Sequence, residues 1–168
     1  RKYRERLEEM VEERTIELRE QIAERERAEE ALRDSEERFR TISDLISDYA
    51  YVARVEPDGG LTREWVTGAF TRITGYTPEE VDERGGWKSI VHPEDQDIAI
   101  QHRQKFLSRN ESITEYRIIT KHDDVLWLRD YARPVWDDLE GRVVRIFGAV
   151  QDITERRRAE EELRQAKE

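Results

Sequence analysis

The sequence contains no cysteine among its 168 residues. This absence excludes disulfide bonds, a thiolate nucleophile and metal sites built on cysteine. A chain without cysteine is compatible with a reducing compartment. We therefore expect this segment to be cytoplasmic, in a parent protein with or without a membrane anchor elsewhere.

Long apolar runs are also absent. No stretch approaches the roughly 18 consecutive apolar residues that a membrane-spanning helix requires, because charged residues make up 42% of the chain. We therefore expect no membrane contact within this segment.

A surplus of positive charge is missing as well. The chain has 30 Lys and Arg against 40 Asp and Glu, which gives a net charge of −10. Nucleic-acid binding requires clustered cations that contact phosphates. The arginines near both ends alternate with glutamates and form no basic stripe, so we expect no nucleic-acid partner.

No catalytic motif is present. The sequence lacks a glycine-rich phosphate loop, a Gly-x-Ser-x-Gly motif and a phosphoacceptor histidine followed by a kinase domain. Histidines and carboxylates do cluster at His92–Asp95 and His122–Asp124, where they could bind a metal. Acids at a helix start and aspartates in a turn explain both clusters more simply, so we predict neither a metal site nor enzymatic activity.

The first 40 residues contain neither glycine nor proline and are rich in Glu, Arg, Ala and Leu, which favours a long helix. One heptad register predicts a homodimeric coiled coil with a thin apolar seam, in either a parallel or an antiparallel arrangement. Asp34 and Glu37 have capping-box spacing, which indicates either a break or kink there, with a new short helix from about Ser35 to Ser47, or a helix that continues through Asp34. The alternative is a solvated helix without a partner. The predicted seam consists of Leu7, Val11, Leu18, Ala28, Leu32 and Phe39.

A similar helical sequence recurs at the other end. The stretches "ERERAEEALR", from Glu24, and "ERRRAEEELR", from Glu155, agree at eight of ten positions. A helix repeated before and after a globular unit is typical of modular proteins. We therefore predict an N-terminal helix over 1–40, a folded domain over 41–154 and the start of a second helix over 155–168. Asp152 and Glu155 have the spacing of a cap for that second helix.

The middle of the chain reads as an α+β domain. "YAYVARVE" and "LTREWV" flank the turn at Pro57–Gly60 and predict a hairpin. Short helices follow, one with Thr77 as N-cap and Pro78 in its first turn, and then a longer helix containing His102 and Phe106. Three strands separated by turns come last. We predict a five-stranded antiparallel sheet with short helices on one face, flanked by N- and C-terminal coiled-coil helices.

Four stretches of this domain resemble the PAS family: "AFTRITGY", "VHPEDQ", "EYRIITKHDDVLWLRDYARPVW" and "GRVVRIFGAVQDITERRRAEE". The resemblance covers roughly residues 35–155, and its most specific part is Asp152-Ile153-Thr154 followed by "ERRRAEE". The end helices resemble the signalling helices of sensor histidine kinases and cyclic-di-GMP enzymes. The sequence departs from the usual PAS pattern at Thr67, where many members have Asn.

The resemblance implies a sensory input module whose concave sheet holds a small ligand or contacts a neighbouring domain. It also implies a dimer that passes a signal through its last helix, with Asp152, Ile153 and Thr154 as relay residues. The alternative is a spacer that only dimerises. The cofactor is unknown: light-sensing relatives need a cysteine for flavin photochemistry or chromophore attachment, and the one helical histidine, His102, is predicted to be a surface residue rather than a haem ligand.

Aromatic residues of the domain are candidates for the ligand pocket, although aromatic strand positions are more often plain core. Two arginines are candidates as well, because an inward guanidinium needs a carboxylate or an anionic ligand. The pocket candidates are Tyr51, Trp65, Phe70, Trp87, Tyr116, Arg117, Trp127, Arg129, Tyr131 and Phe147.

Overall fold

The computed structural model of the protein describes residues 1–46 and 48–167. The chain divides into two compact units, Arg1–Thr41 and Ile42–Glu168. No helix among the described residues is long and apolar enough to cross a membrane.

The first helix, α1, runs from Lys2 to Ile46 without interruption. Of the two alternatives at Asp34, the helix therefore continues without a break, because every residue there is a tolerable helix former and the helix retains its backbone hydrogen bonds. Ser47, the predicted end of the second helix, lies outside the described residues. The seam side chains are exposed in the single chain, for example Val11 at 60% and Leu32 at 60%. The coiled-coil dimer therefore stays a prediction.

The second unit is built on one five-stranded antiparallel sheet, as predicted. Its strands are β1 (Tyr49–Val55), β2 (Leu61–Val66), β3 (Ser112–Ile119), β4 (Val125–Asp137) and β5 (Arg142–Asp152). Their order across the sheet is β2-β1-β5-β4-β3. The last three strands are neighbours in chain order, because short turns join consecutive antiparallel strands.

Helices lie between β2 and β3 in the chain. They are α2 (Ala69–Thr74), α3 (Pro78–Glu83) and α4 (Gln96–Leu107), with short 3-10 helices at Trp87–Ile90 and Pro93–Asp95. The predicted start of α3 is confirmed. Thr77 caps it, with Glu80 completing a reciprocal capping box and Pro78 in the first turn.

The two faces of the sheet differ because side chains alternate along each strand. The covered face packs against the helices and carries fully buried residues such as Tyr116, Leu128, Ile146 and Val150. The open face carries the intervening residues, including Ile113, which is 63% exposed. The hydrophobic core thus lies on one side of the sheet only.

The last helix, α5, spans Thr154–Gln165 and follows β5 directly. Its predicted Asp152–Glu155 cap is wrong, because Ile153 occupies the N-cap position. The Asp152 carboxylate instead accepts hydrogen bonds from the backbone N–H (2.9 Å) and the hydroxyl of Thr154. This local turn joins strand and helix without a loop.

Arg117 of β3 fastens the start of α4 to the sheet. Its Nε lies 2.9 Å and its Nη2 2.7 Å from the two oxygens of Asp95, a bidentate pair. Asp95 is only 3% exposed and also accepts the Arg117 backbone N–H at 2.7 Å. The hydrogen bonds from the Arg117 side chain lower the pKa of Asp95.

Asp95→Asn should therefore lower the free energy of unfolding by about 2 kcal/mol at pH 7. The folded-state pKa of Asp95 is depressed, so its ionised form stabilises the fold above the unfolded pKa of about 4 and this contribution is lost as the pH falls. Urea unfolding should show the difference from wild type shrinking below about pH 4. Asp97→Asn, at an exposed position two residues on, is the control. A difference that is absent at pH 7, or unchanged in acid, would contradict this assignment.

Candidate ligand-binding cavity

A cavity of about 600 Å³ lies between the covered face of the sheet and the helices. Strands β1 and β2, helix α4 and the segment from Pro78 to Lys88 contribute its walls. Most of the wall is apolar, as in typical small-molecule sites. The apolar lining includes Val66, Phe70, Val81, Trp87, Phe106 and Ile146.

The carboxylate of Asp130 on β4 lies in the wall of this cavity, which Asp58 and Asp82 also line. Asp130 is 2% exposed, and a buried carboxylate is costly unless its oxygens are hydrogen-bonded. The Tyr116 hydroxyl donates to it at 2.8 Å. The Tyr51 hydroxyl donates at 3.1 and 3.4 Å to its two oxygens, a longer and shared bond. Two phenol hydroxyls from different strands therefore stabilise the buried Asp130 carboxylate.

His102 of α4 lies beside the same carboxylate. Its Nδ1 is 2.7 Å from the Ser112 hydroxyl, and its Nε2 is 3.4 Å from Asp130 Oδ2 but has no hydrogen-bond partner among the described residues. The prediction of a surface histidine is wrong, since His102 is 2% exposed. It shares the buried side of α4 with Ala99 and Phe106, while the guanidinium of its neighbour Arg103 donates to the Gly59 carbonyl.

Tyr49 completes the polar end of the cavity. It is 2% exposed, and its hydroxyl has no hydrogen-bond partner among the described residues. Its ring packs edge-on against Phe70 at 5.3 Å between centroids. Burial, followed by the nearby Asp130 charge, raises the pKa of Tyr49, Tyr51 and Tyr116. All three phenols therefore stay protonated at neutral pH.

Gly148 of β5 makes room for Tyr51. The two residues are directly paired between β1 and β5, and a Cβ at position 148 would lie 2.0 Å from Tyr51 Cζ. The Tyr51 ring therefore lies across the backbone of Gly148, and its hydroxyl reaches Asp130 on the next strand. Any larger residue would displace this ring.

Three of the ten predicted pocket residues line the cavity: Tyr51, Phe70 and Trp87. Tyr116 is fully buried beside it, bonded to Asp130 and 4.9 Å from the Trp87 ring. The strand registers place the remaining six on the open face. These six are Trp65, Arg117, Trp127, Arg129, Tyr131 and Phe147.

The two candidate arginines pair with carboxylates of the protein rather than with ligands in the cavity. Arg117 pairs with Asp95, and Arg129 lies 2.6 Å from Glu115. The sequence reasoning missed Asp130, His102 and Tyr49 as cavity residues. A usable signal existed in β4, where Asp130 stands between Leu128 and Ala132 at alternate positions and therefore shares the face of two buried apolar residues.

The cofactor chemistries raised by the family resemblance do not fit these residues. A cysteinyl adduct needs a thiol, and the sequence has none. A porphyrin bound through His102 Nε2 would overlap the Asp130 carboxylate, which lies 3.4 Å from that nitrogen. The described residues also contain no group of three or more potential metal ligands.

Comparison with known families agrees with this architecture. Residues 63–150, just over half of the chain, match the PAS fold family. The chain therefore belongs to the PAS family.

Individual relatives are signalling proteins by name. A blue-light-activated histidine kinase of Brucella ovis is 32% identical over 116 residues, which is 66% of this chain but only 23% of the kinase. A sensory box histidine kinase/response regulator from Burkholderia thailandensis shares the fold, with a TM-score of 0.58 at 21% identity over 76% of this chain and 93% of the other. The N-terminal domain of a Marinobacter aquaeolei diguanylate cyclase with PAS/PAC sensor also shares the fold. Its TM-score is 0.54 at 20% identity, and the match covers 64% of this chain and 98% of the other.

Gly148→Ala should destabilise the fold by about 1–3 kcal/mol, because the new methyl group displaces the Tyr51 ring and breaks its bond to Asp130. Thermal and urea unfolding measure the loss. Gly68→Ala is the matched control, since a Cβ there meets nothing within 4 Å. Equal stability of the two variants would show that Tyr51 does not need the space above Gly148.

Proposed function

We propose that this chain is a sensory PAS module that detects a small ligand in its cavity and passes the signal through α5. The observation that carries this proposal is the position of two residues on β4. Asp130 lies at the cavity on the covered face, and Trp127, three residues earlier, lies on the open face where α5 begins. One strand therefore contacts both the input site and the output helix.

The first turn of α5 is attached to Trp127 in three ways. The Thr154 hydroxyl accepts the Trp127 backbone N–H at 2.9 Å, and the Ile153 N–H donates to the Trp127 carbonyl at 2.8 Å. The Arg157 guanidinium lies 4.4 Å from the Trp127 ring centroid, a cation–π contact. A shift of β4 is thus expected to reach α5 directly.

One ion pair and one further hydrogen bond hold the same junction. Arg157 also pairs with Glu115 of β3, and the Asp152 backbone N–H donates to the Asp48 carboxylate next to β1. The proposed relay residues Asp152, Ile153 and Thr154 therefore connect α5 to strands on both sides of β5.

The parent protein is proposed to be a cytoplasmic, dimeric signalling protein. The support is the apolar seam exposed along α1 and the names of the relatives, which include histidine kinases and a diguanylate cyclase. A histidine kinase or a cyclic-di-GMP enzyme as output domain follows from those names alone. The α1 seams would pair two copies, and α5 would continue towards the output domain.

A ligand-free spacer that only sets the distance between domains is the second candidate. Its support is that the polar end of the cavity already bonds internally, through Tyr116 and Asp130. Native mass spectrometry of the purified chain separates the two functions. A dimer that carries a discrete additional mass supports sensing, a bare dimer favours the spacer, and a bare monomer contradicts the α1 seam.

Arg157→Gln should loosen the start of α5, because it removes the cation–π contact and the ion pair with Glu115. For a partly exposed pair worth about 1 kcal/mol, amide hydrogen exchange of residues 155–158 should rise roughly fivefold. Arg158→Gln removes the neighbouring, exposed charge and should leave exchange unchanged. Equal exchange in both variants would rule out Arg157 as an anchor.

A further inference from the structure

The polar end of the cavity presents acceptors to a ligand. Within the described residues no Lys or Arg lies within ion-pair distance of Asp130, and the basic side chain that lies beside it is His102, whose Nε2 is 3.4 Å away. The Asp130 charge therefore lacks the partner that a buried carboxylate usually has. A cation entering the cavity would supply it.

Two further polar atoms near this carboxylate lack a hydrogen-bond partner within the described part of the chain and can accept one from a ligand. The Tyr49 hydroxyl and His102 Nε2 have no hydrogen-bond partner among the described residues, although both side chains are 2% exposed and both residues line the cavity. The imidazole nitrogen accepts whenever Nδ1–H donates to the Ser112 hydroxyl, 2.7 Å away. A ligand with several donors on one atom would satisfy all three groups.

Aromatic rings surround the same place. Tyr49, Tyr51, Phe70 and Trp87 line the cavity, and the faces of such rings attract cations. Val66, Val81 and Ile146 provide apolar wall for a hydrocarbon body. The combination of a carboxylate, ring faces and apolar wall matches an organic cation.

We propose that the cavity binds a primary amine with an apolar or aromatic body, whose ammonium group takes the place of the Tyr51 hydroxyl on Asp130. A primary ammonium offers three donors, which fit Asp130, Tyr49 and His102. The ammonium group displaces the Tyr51 hydroxyl rather than that of Tyr116, because the Tyr51 hydrogen bonds to Asp130 are longer. They measure 3.1 and 3.4 Å, against 2.8 Å for Tyr116. The inference rests on the proposed sensory function and names the ligand class.

The test compares three probes of similar shape by calorimetry and by the NMR signal of the Trp87 indole: phenethylamine, phenethyl alcohol and hydrocinnamate. The amine should bind at least about tenfold more tightly than the other two, since only it offers a charge to Asp130. Tighter binding of the alcohol or the acid at Trp87 would overturn the amine assignment and leave ligand sensing intact. No binding of any probe, with a bare chain in native mass spectrometry, would count against both.

Variants test the contacts. Asp130→Asn should weaken phenethylamine binding at least about tenfold, while Asp124→Asn, an exposed turn residue with the same charge change, should not alter it. Tyr51→Phe should bind the amine as tightly as wild type or a few-fold more tightly, because the competing hydroxyl is gone. Tyr49→Phe removes an unpartnered hydroxyl, so it should fold normally and bind about threefold to tenfold more weakly.

Tyr51→Phe and Tyr49→Phe keep the proposal testable if Asp130→Asn does not fold. Loss of amine binding in Tyr51→Phe, or full affinity in Tyr49→Phe, would contradict the proposed seat of the ammonium group. Unchanged affinity in a folded Asp130→Asn variant would do the same.

Discussion

The buried Asp130 carboxylate is the constraint on which the second unit depends. A charge on the covered face of a sheet is tolerated only when hydrogen bonds hold it, and these come from Tyr51 on β1 and Tyr116 on β3. Tyr51 reaches Asp130 because Gly148 of β5 has no side chain in its path. The one charge thus requires matched residues on four strands, with His102 of α4 beside it.

Asp130 also explains how the cavity and the junction with α5 share one structural element. Alternation along β4 sends Asp130 to the covered face and Trp127 to the open face. Under the proposed function, a displacement of β4 on ligand entry at Asp130 would reach Trp127, and through its contacts Thr154 and Arg157. The Tyr51 bond, at 3.1 Å, is the longer of the two phenol bonds to Asp130 and is the one that the proposed amine would replace.

The fold was predictable from the sequence because hairpin turns and helix caps are local signals, as the Thr77–Pro78 start of α3 illustrates. The site was less predictable. Trp127 was predicted to line the pocket because it is aromatic, but its ring lies on the open face. The guanidinium carbons of two arginines lie over it, Arg117 at 5.4 Å and Arg157 at 4.4 Å from the ring centroid. The burial of His102 depends on which side of α4 faces the sheet. Because the neighbours of His102 in the sequence are polar, the sequence pattern does not indicate that side. Such long-range packing leaves little trace in a local pattern.

The most direct test of the account is a double-mutant cycle between Tyr51→Phe and Arg157→Gln, measured as free energies of unfolding in urea. Tyr51 lies at the cavity and Arg157 at the α5 junction, and the two share no hydrogen-bond or ion-pair partner among the described residues. The account predicts a coupling energy of at least about 0.5 kcal/mol through β4. Additivity to within about 0.3 kcal/mol would show that the cavity and the output helix are independent, and would contradict it.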